Sequence, residues 1–217
     1  MENDVKEFLS ELLKQLKSID YIKPEDIPNI DLYMDQVTTF MDEQLAASKR
    51  YESDKILTKT MINNYAKNNL LPSPDKKKYS KEHVLTLLFI YYFKNILSIN
   101  DIRSILNPLT EKYFGNDDGF TMQDVYTEVF SLEAEESQKL LKDLGKKYKI
   151  AGETFEDFPD EDQKFLHTFS FICMLSFDVY IKKMLIERMI DKLNEEKEAS
   201  SHENTHSGKE SKKTGSN

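Results

Sequence analysis

Apolar residues recur along most of this chain at intervals of three and four, the period of a helix that buries one face. Val5, Phe8, Leu9, Leu12, Leu13 and Leu16 set the first run and predict a helix over residues 3 to 18, followed by a connector from Tyr21 to Pro28. Leu32, Tyr33, Val37, Phe40, Met41 and Leu45 set the second, a helix from Asn29 to Ala47 that Asn29 or Asp31 can cap. Beyond the charged link Lys49 to Asp54, Thr58 is placed to cap a short helix through Met61, Ile62 and Tyr65 toward Leu70. Pro72 and Pro74 stop that helix, and the stretch from Pro72 to Tyr79 is turn chemistry followed by lysines, a hairpin or extended wing. Ser80 then caps a helix whose Val84, Leu87, Leu88, Ile90, Tyr91 and Phe93 leave no polar face, the pattern of a central strut.

The second half of the chain continues in helices. Ser98-Ile99-Asn100-Asp101 has capping-box spacing and opens a helix through Ile102, Ile105 and Leu106, with Pro108 just past its end. Asn116-Asp117-Asp118-Gly119 is a strong turn, so residues 112 to 119 read as a boundary, after which Thr121 with Asp124 starts a new helix. Two long helices, near 121 to 149 and 160 to 196, flank the acidic link Glu153 to Asp162 and form a helical hairpin. Its stripes, Val125, Val129, Leu132, Leu140 and Leu144, then Phe165, Phe169, Ile172, Phe177, Ile181, Met184, Leu185 and Met189, can be buried within the chain or between two copies. From Ala199 to Asn217 no large apolar residue offsets the entropy of ordering, which predicts disorder. The pattern divides the chain into an N-terminal helix and connector at 1–28, a middle unit at 29–112, a helical region at 119–197 and a tail at 198–217.

Composition agrees with an all-α fold. With only six glycines and six prolines in 217 residues a turn-rich β architecture is disfavoured. The single cysteine, Cys173, lies in the apolar run Phe171 to Leu175, predicts burial and excludes an internal disulfide. The N-terminus has no secretion-signal pattern, which together with the lone thiol points to a reducing, cytoplasmic setting. Phe165 to Ile190 is interrupted by His167, Asp178, Lys182, Lys183, Glu187 and Arg188 and does not read as a membrane span. His202-Glu203-Asn204-Thr205-His206 matches the zinc-protease spacing, but its polar surroundings would not rigidify a metal site. No phosphate-binding glycine loop or calcium loop is present, so the sequence predicts neither a metal nor another cofactor, and no enzyme.

Charge changes the picture more than composition does. Between Lys55 and Arg103 nine basic residues face three acidic ones, about +6, within a chain whose formal charge is -9. Such an island can hold a phosphate backbone while the acidic remainder limits indiscriminate binding. Within it, the short helix turns Lys59, Thr60, Asn63, Asn64 and Lys67 outward as it buries Met61, Ile62 and Tyr65. Asparagine amides can pair with adenine edges, while lysine and threonine can hold phosphates.

Tyr65-Ala66-Lys67-Asn68-Asn69-Leu70-Leu71 and the later Lys77-Lys78-Tyr79-Ser80 resemble the recognition-helix end and the wing exit of the MerR family of winged helix-turn-helix regulators. Asn69 stands where glycine is usual there, and Lys77 where arginine is usual. The helix from Lys81 to Asn95 and the segment Leu97 to Leu106 are similar to that family's later helices, so the resemblance covers about 55 residues. The family's backbone-gripping arginine and first tyrosine fall on Asn63 and Asn64, so that grip differs here and base preference does not carry over. A first helix around Ile30 to Val37 followed by Met61 to Tyr65 is also similar to an uncharacterised family from Gram-positive bacteria, grouped as a domain of unknown function. The resemblance implies a MerR-like winged helix-turn-helix with a small β-wing, to which the C-terminal helical hairpin is appended. It implies a sequence-specific regulator that binds double-stranded DNA through Lys59, Thr60, Asn63, Asn64 and Lys67, and through Lys76, Lys77, Lys78 and Tyr79 of the wing. A homodimer through the C-terminal helices would pair two such units. The alternative is a helical interaction module that keeps the fold and docks an acidic protein partner on the lysines.

Overall fold

A computed structural model describes residues 22–116 and 119–210. The helix expected over 3 to 18 and residues 211 to 217 lie outside it. Six α-helices account for most of the described chain: α1 (Met34–Gln44), α2 (Lys59–Lys67), α3 (Lys81–Phe93), α4 (Ile99–Tyr113), α5 (Met122–Gly152) and α6 (Asp160–Glu210). A two-stranded antiparallel sheet joins β1 (Leu32–Tyr33) to β2 (Lys78–Tyr79), with Leu32 opposite Tyr79 and Tyr33 opposite Lys78. Among the described residues no helix is long and apolar enough to cross a membrane.

The core forms around α3, in which every residue from His83 to Tyr91 is buried, so the sequence's central strut is the structural one. Val37 and Met41 of α1, Ile62 and Tyr65 of α2, and Ile102 and Leu106 of α4 close on it. The buried cluster does not stop at the turn near 112 to 119: Met122, Tyr126 and Phe130 of α5 and Ile190 of α6 belong to it, as do Ile22 and Ile27 before β1. Tyr126 is fully buried, its ring tilted against Phe130, and its hydroxyl donates to the Ile22 carbonyl at 2.8 Å. The first turns of α5 are therefore part of the same core as the strut, and the hairpin grows out of it.

Several local expectations change. The helix expected from Asn29 begins at Met34, because Leu32 and Tyr33 alternate inward and outward and pair with the lysine segment. Neither Asn29 nor Asp31 caps it; the Gln36 side chain accepts the Tyr33 N–H at 2.8 Å. The short helix ends at Lys67 rather than Leu70. Pro108 lies inside α4, not past it. Its ring nitrogen cannot donate to the Ser104 carbonyl four residues back, and Lys197 Nζ of α6 donates there instead, at 2.7 Å. Helix α6 runs on to Glu210, through residues from 198 where the composition predicts disorder; Glu195 to Ala199 are good helix formers that carry it past 196, and the polar composition beyond them does not account for its further length.

The hairpin departs most from expectation. Helices α5 and α6 lie together, with Lys147 bridging Asp143 and Asp178 and with the Tyr148 and Phe171 rings edge to face. Yet the apolar run of α6 is not a buried helix: Phe165, Phe169, Ile172, Phe177, Val179 and Tyr180 are all exposed. Cys173, expected in the core, is exposed as well. A helix that is apolar around most of its circumference has two faces to cover, and among the described residues α5 covers one of them along this run.

Candidate nucleic-acid interface

The short helix that carries the polar face is held at both ends by local chemistry. At its start Thr58 Oγ1 accepts the Met61 N–H at 3.2 Å. At its end Asn69 adopts the left-handed conformation, φ 56°, with its N–H bonded to the Ala66 carbonyl at 3.2 Å and the Leu70 N–H to the Tyr65 carbonyl at 2.9 Å. These two bonds are those of a Schellman motif, in which asparagine replaces the usual glycine. Leu70 and Leu71 then plunge into the core and fix the direction in which the chain leaves. Between the caps, Ile62 and Tyr65 are buried while Lys59, Thr60, Asn63, Asn64 and Lys67 are exposed, as the helical period requires.

The wing is a two-residue hairpin turn. The Lys78 N–H donates to the Asp75 carbonyl at 2.8 Å, and the intervening Lys76 and Lys77 both have positive φ, 47° and 66°. This is the conformation that asparagine and glycine ordinarily fill, since a side chain there crowds the backbone. Lys76, Lys77 and Lys78 are all exposed. Tyr79, expected beside them on the binding face, is buried instead: strand alternation points it inward, with its ring 5.5 Å from that of His83.

His83 holds the wing's base to α3. Its Nδ1 accepts the Ser80 N–H at 3.0 Å, completing a cap, so Nε2 carries the proton. Nε2 is buried with no hydrogen-bond partner, and the ring lies edge-on to Phe114 at 4.7 Å. Burial holds the imidazole below its ordinary pKa, outweighing the carbonyls of Ser73 and Pro72 and the charge of Asp31, which favour protonation. This histidine is an element of the scaffold, out of reach of a phosphate.

The structure adds two residues that sequence reasoning left aside. Tyr33 is exposed on β1, and Lys78 Nζ sits 5.6 Å from its ring centroid, which props an aromatic beside the wing lysines. The inward-outward alternation of Leu32 and Tyr33 was the available signal. Asp35, in the first turn of α1, pairs with Lys59 and partly offsets its charge. Elsewhere the candidates dissolve. Among the described residues no group of three or more His, Cys, Asp or Glu is placed to hold a metal. The His202, Glu203 and His206 side chains lie outside the described ones. His167 is a structural residue, its Nε2 2.7 Å from the Thr154 carbonyl at the hairpin turn.

The fold defines a mostly helical protein with a small antiparallel sheet and a lysine-bearing turn. Residues 22–129 match the family model of a domain of unknown function, DUF1836, so the chain carries that domain. The match spans the core residues from Ile22 to Tyr126, while Phe130 and Ile190 of the same core lie beyond it. No curated protein and no solved structure matches the chain.

Proposed function

We propose that this protein is a sequence-specific, double-stranded DNA-binding transcriptional regulator, with α2 as a MerR-like recognition helix and the Lys76–Lys78 turn as its wing. The observation that carries the reading is the wing tip. Two consecutive lysines occupy left-handed positions at which a side chain costs roughly 1–2 kcal/mol each. Backbone strain kept in place of the easy Asn-Gly solution suggests that the charges matter there. The outward Asn63 and Asn64 would read base edges, Thr60 and Lys67 would contact them or the flanking phosphates, and the wing lysines would hold the backbone. Lys59 would join them once the phosphates compete with Asp35. Two copies joined through the C-terminal helices would present two such units to a two-fold operator. A cytoplasmic location follows from this reading.

The test replaces the strained pair by residues that suit the turn, Lys76→Asn with Lys77→Gly. The variant should unfold at higher denaturant concentration, yet bind duplex DNA more weakly, with the slope of log affinity against log salt smaller by up to about two. Recovery of genomic fragments by the intact protein should converge on a shared sequence. An unchanged salt slope, or fragments with nothing in common, would favour the second reading. In that reading the lysines dock an acidic protein, and the nearby Asp35 and Asp75 tune their charge.

A further inference from the structure

Ile22 is buried in the core, and its carbonyl is held by the hydroxyl of Tyr126 in the second turn of α5. The chain ahead of it therefore leaves from the root of the hairpin. From that root α5 carries an outward apolar stripe: Val125, Val129, Leu132 and Leu140 fall within about 80° of helix arc. Val125 packs against the core, while Val129, Leu132 and Leu140 are between 44% and 62% exposed. Glu136, the polar position within the stripe, pairs with Lys139 of the same helix. Among the described residues nothing closes over this stripe. The sequence ahead of Ile22 has the complementary pattern. Val5, Phe8, Leu9, Leu12, Leu13 and Leu16 share one side of the helix that their spacing predicts, within about 140° of arc. A helix this short is marginal alone in water, so its stripe needs a surface to form against.

We propose that residues 3–18 dock as a helix on the Val129 to Leu140 stripe of their own chain, antiparallel to α5. The lengths agree, since Val5 to Leu16 and Val129 to Leu140 both cover eleven residue steps, about 16 Å of helix. Residues 19 to 21 supply roughly 10 Å of extended chain, enough to set Leu16 beside Val129. Because the segment is pinned at the root, it runs outward as its numbers fall, which brings Val5 level with Leu140. Tethering decides between this segment and a second copy. A stripe three residues from its anchor competes at an effective concentration of roughly millimolar, which a separate chain does not match. Leu132, Leu140 and the whole segment lie outside residues 22–129, so the contact is an addition to the family domain and not a part of it. It requires neither DNA nor a second copy.

Hydrogen exchange of the full chain should show the amides of residues 5 to 16 protected at least about tenfold relative to free chain. Leu132→Glu with Leu140→Glu should abolish that protection and leave the amides of α3 unchanged, because both side chains face water in the described fold. Direction is read in a Cys173→Ser background. Leu16→Cys with Val129→Cys should form a disulfide within one chain several-fold faster than Leu16→Cys with Leu140→Cys. Free-chain exchange of residues 5 to 16 in the wild type, protection that survives the glutamates, or faster closure to position 140 would each overturn the proposal. So would protection that fades on dilution together with disulfides at twice the chain mass, an outcome that gives the stripe to a second copy.

Discussion

His83 illustrates how one side chain can tie stability to pH. Its imidazole is held neutral by burial, and its folded pKa lies below that of an exposed histidine, near 6.5. The unfolded chain therefore binds the proton first, and stability is complete above about pH 6.5 and is lost as pH falls through the window down to the folded value. Urea midpoints should fall across that range, with a slope of at most about 1.4 kcal/mol per pH unit from this group. His83→Gln keeps an acceptor for the Ser80 N–H and should flatten the dependence. Asn69 makes a second case: with φ 56° at the helix end, Asn69→Ala should cost about 1 kcal/mol in a urea titration, whereas Asn69→Gly should be neutral or stabilising. The asparagine was legible as a glycine substitute through the resemblance that Tyr65 to Leu71 carry, because the Schellman end is a local motif. The inward turn of Tyr79 was not, since it depends on pairing with β1 more than forty positions earlier.

At the scale of elements, helices could be read from the sequence to within a few residues, whether apolar on one side as in α2 and the outset of α5 or apolar all round as in α3. What escaped was decided by contacts distant along the chain. Two residues became β1 because the wing offered them a partner, and Pro108 was absorbed by α4 because Lys197 satisfies the carbonyl it leaves open. The site residues followed the same division: the polar face of α2 comes from helical period, while Tyr33 enters through strand pairing. The start of α5 was assigned to a separate region because the turn at 116 to 119 is strong, although Met122, Tyr126 and Phe130 complete the core. Removal of one hydroxyl measures that junction. Tyr126→Phe leaves the buried Ile22 carbonyl without its donor and should lower stability by about 1–2 kcal/mol in a single cooperative transition shared with α3.

Seen as a whole, the molecule separates a tightly buried unit around α3 from a long hairpin that carries apolar surface outward. Phe169 and Ile172 are exposed on that hairpin, so under the two-copy reading a Phe169→Glu, Ile172→Glu variant should keep the salt slope per bound unit and lose affinity chiefly for two-half-site duplexes, which titration against single and double sites would resolve. The proline within α4 shapes one of the contacts between the two parts. A helix normally spends every interior carbonyl on itself, but at Ser104 the proline keeps one permanently on offer, and the ammonium of Lys197 plugs into it from the hairpin. That contact is a latch whose socket can be welded shut by one substitution. In Pro108→Ala the new amide would claim the Ser104 oxygen, α4 would exchange its hydrogens more slowly, and the hairpin around Lys197 would swing more freely and exchange faster. Hydrogen exchange rates moving in opposite directions on two touching helices would mark the open carbonyl as what holds the hairpin at this point.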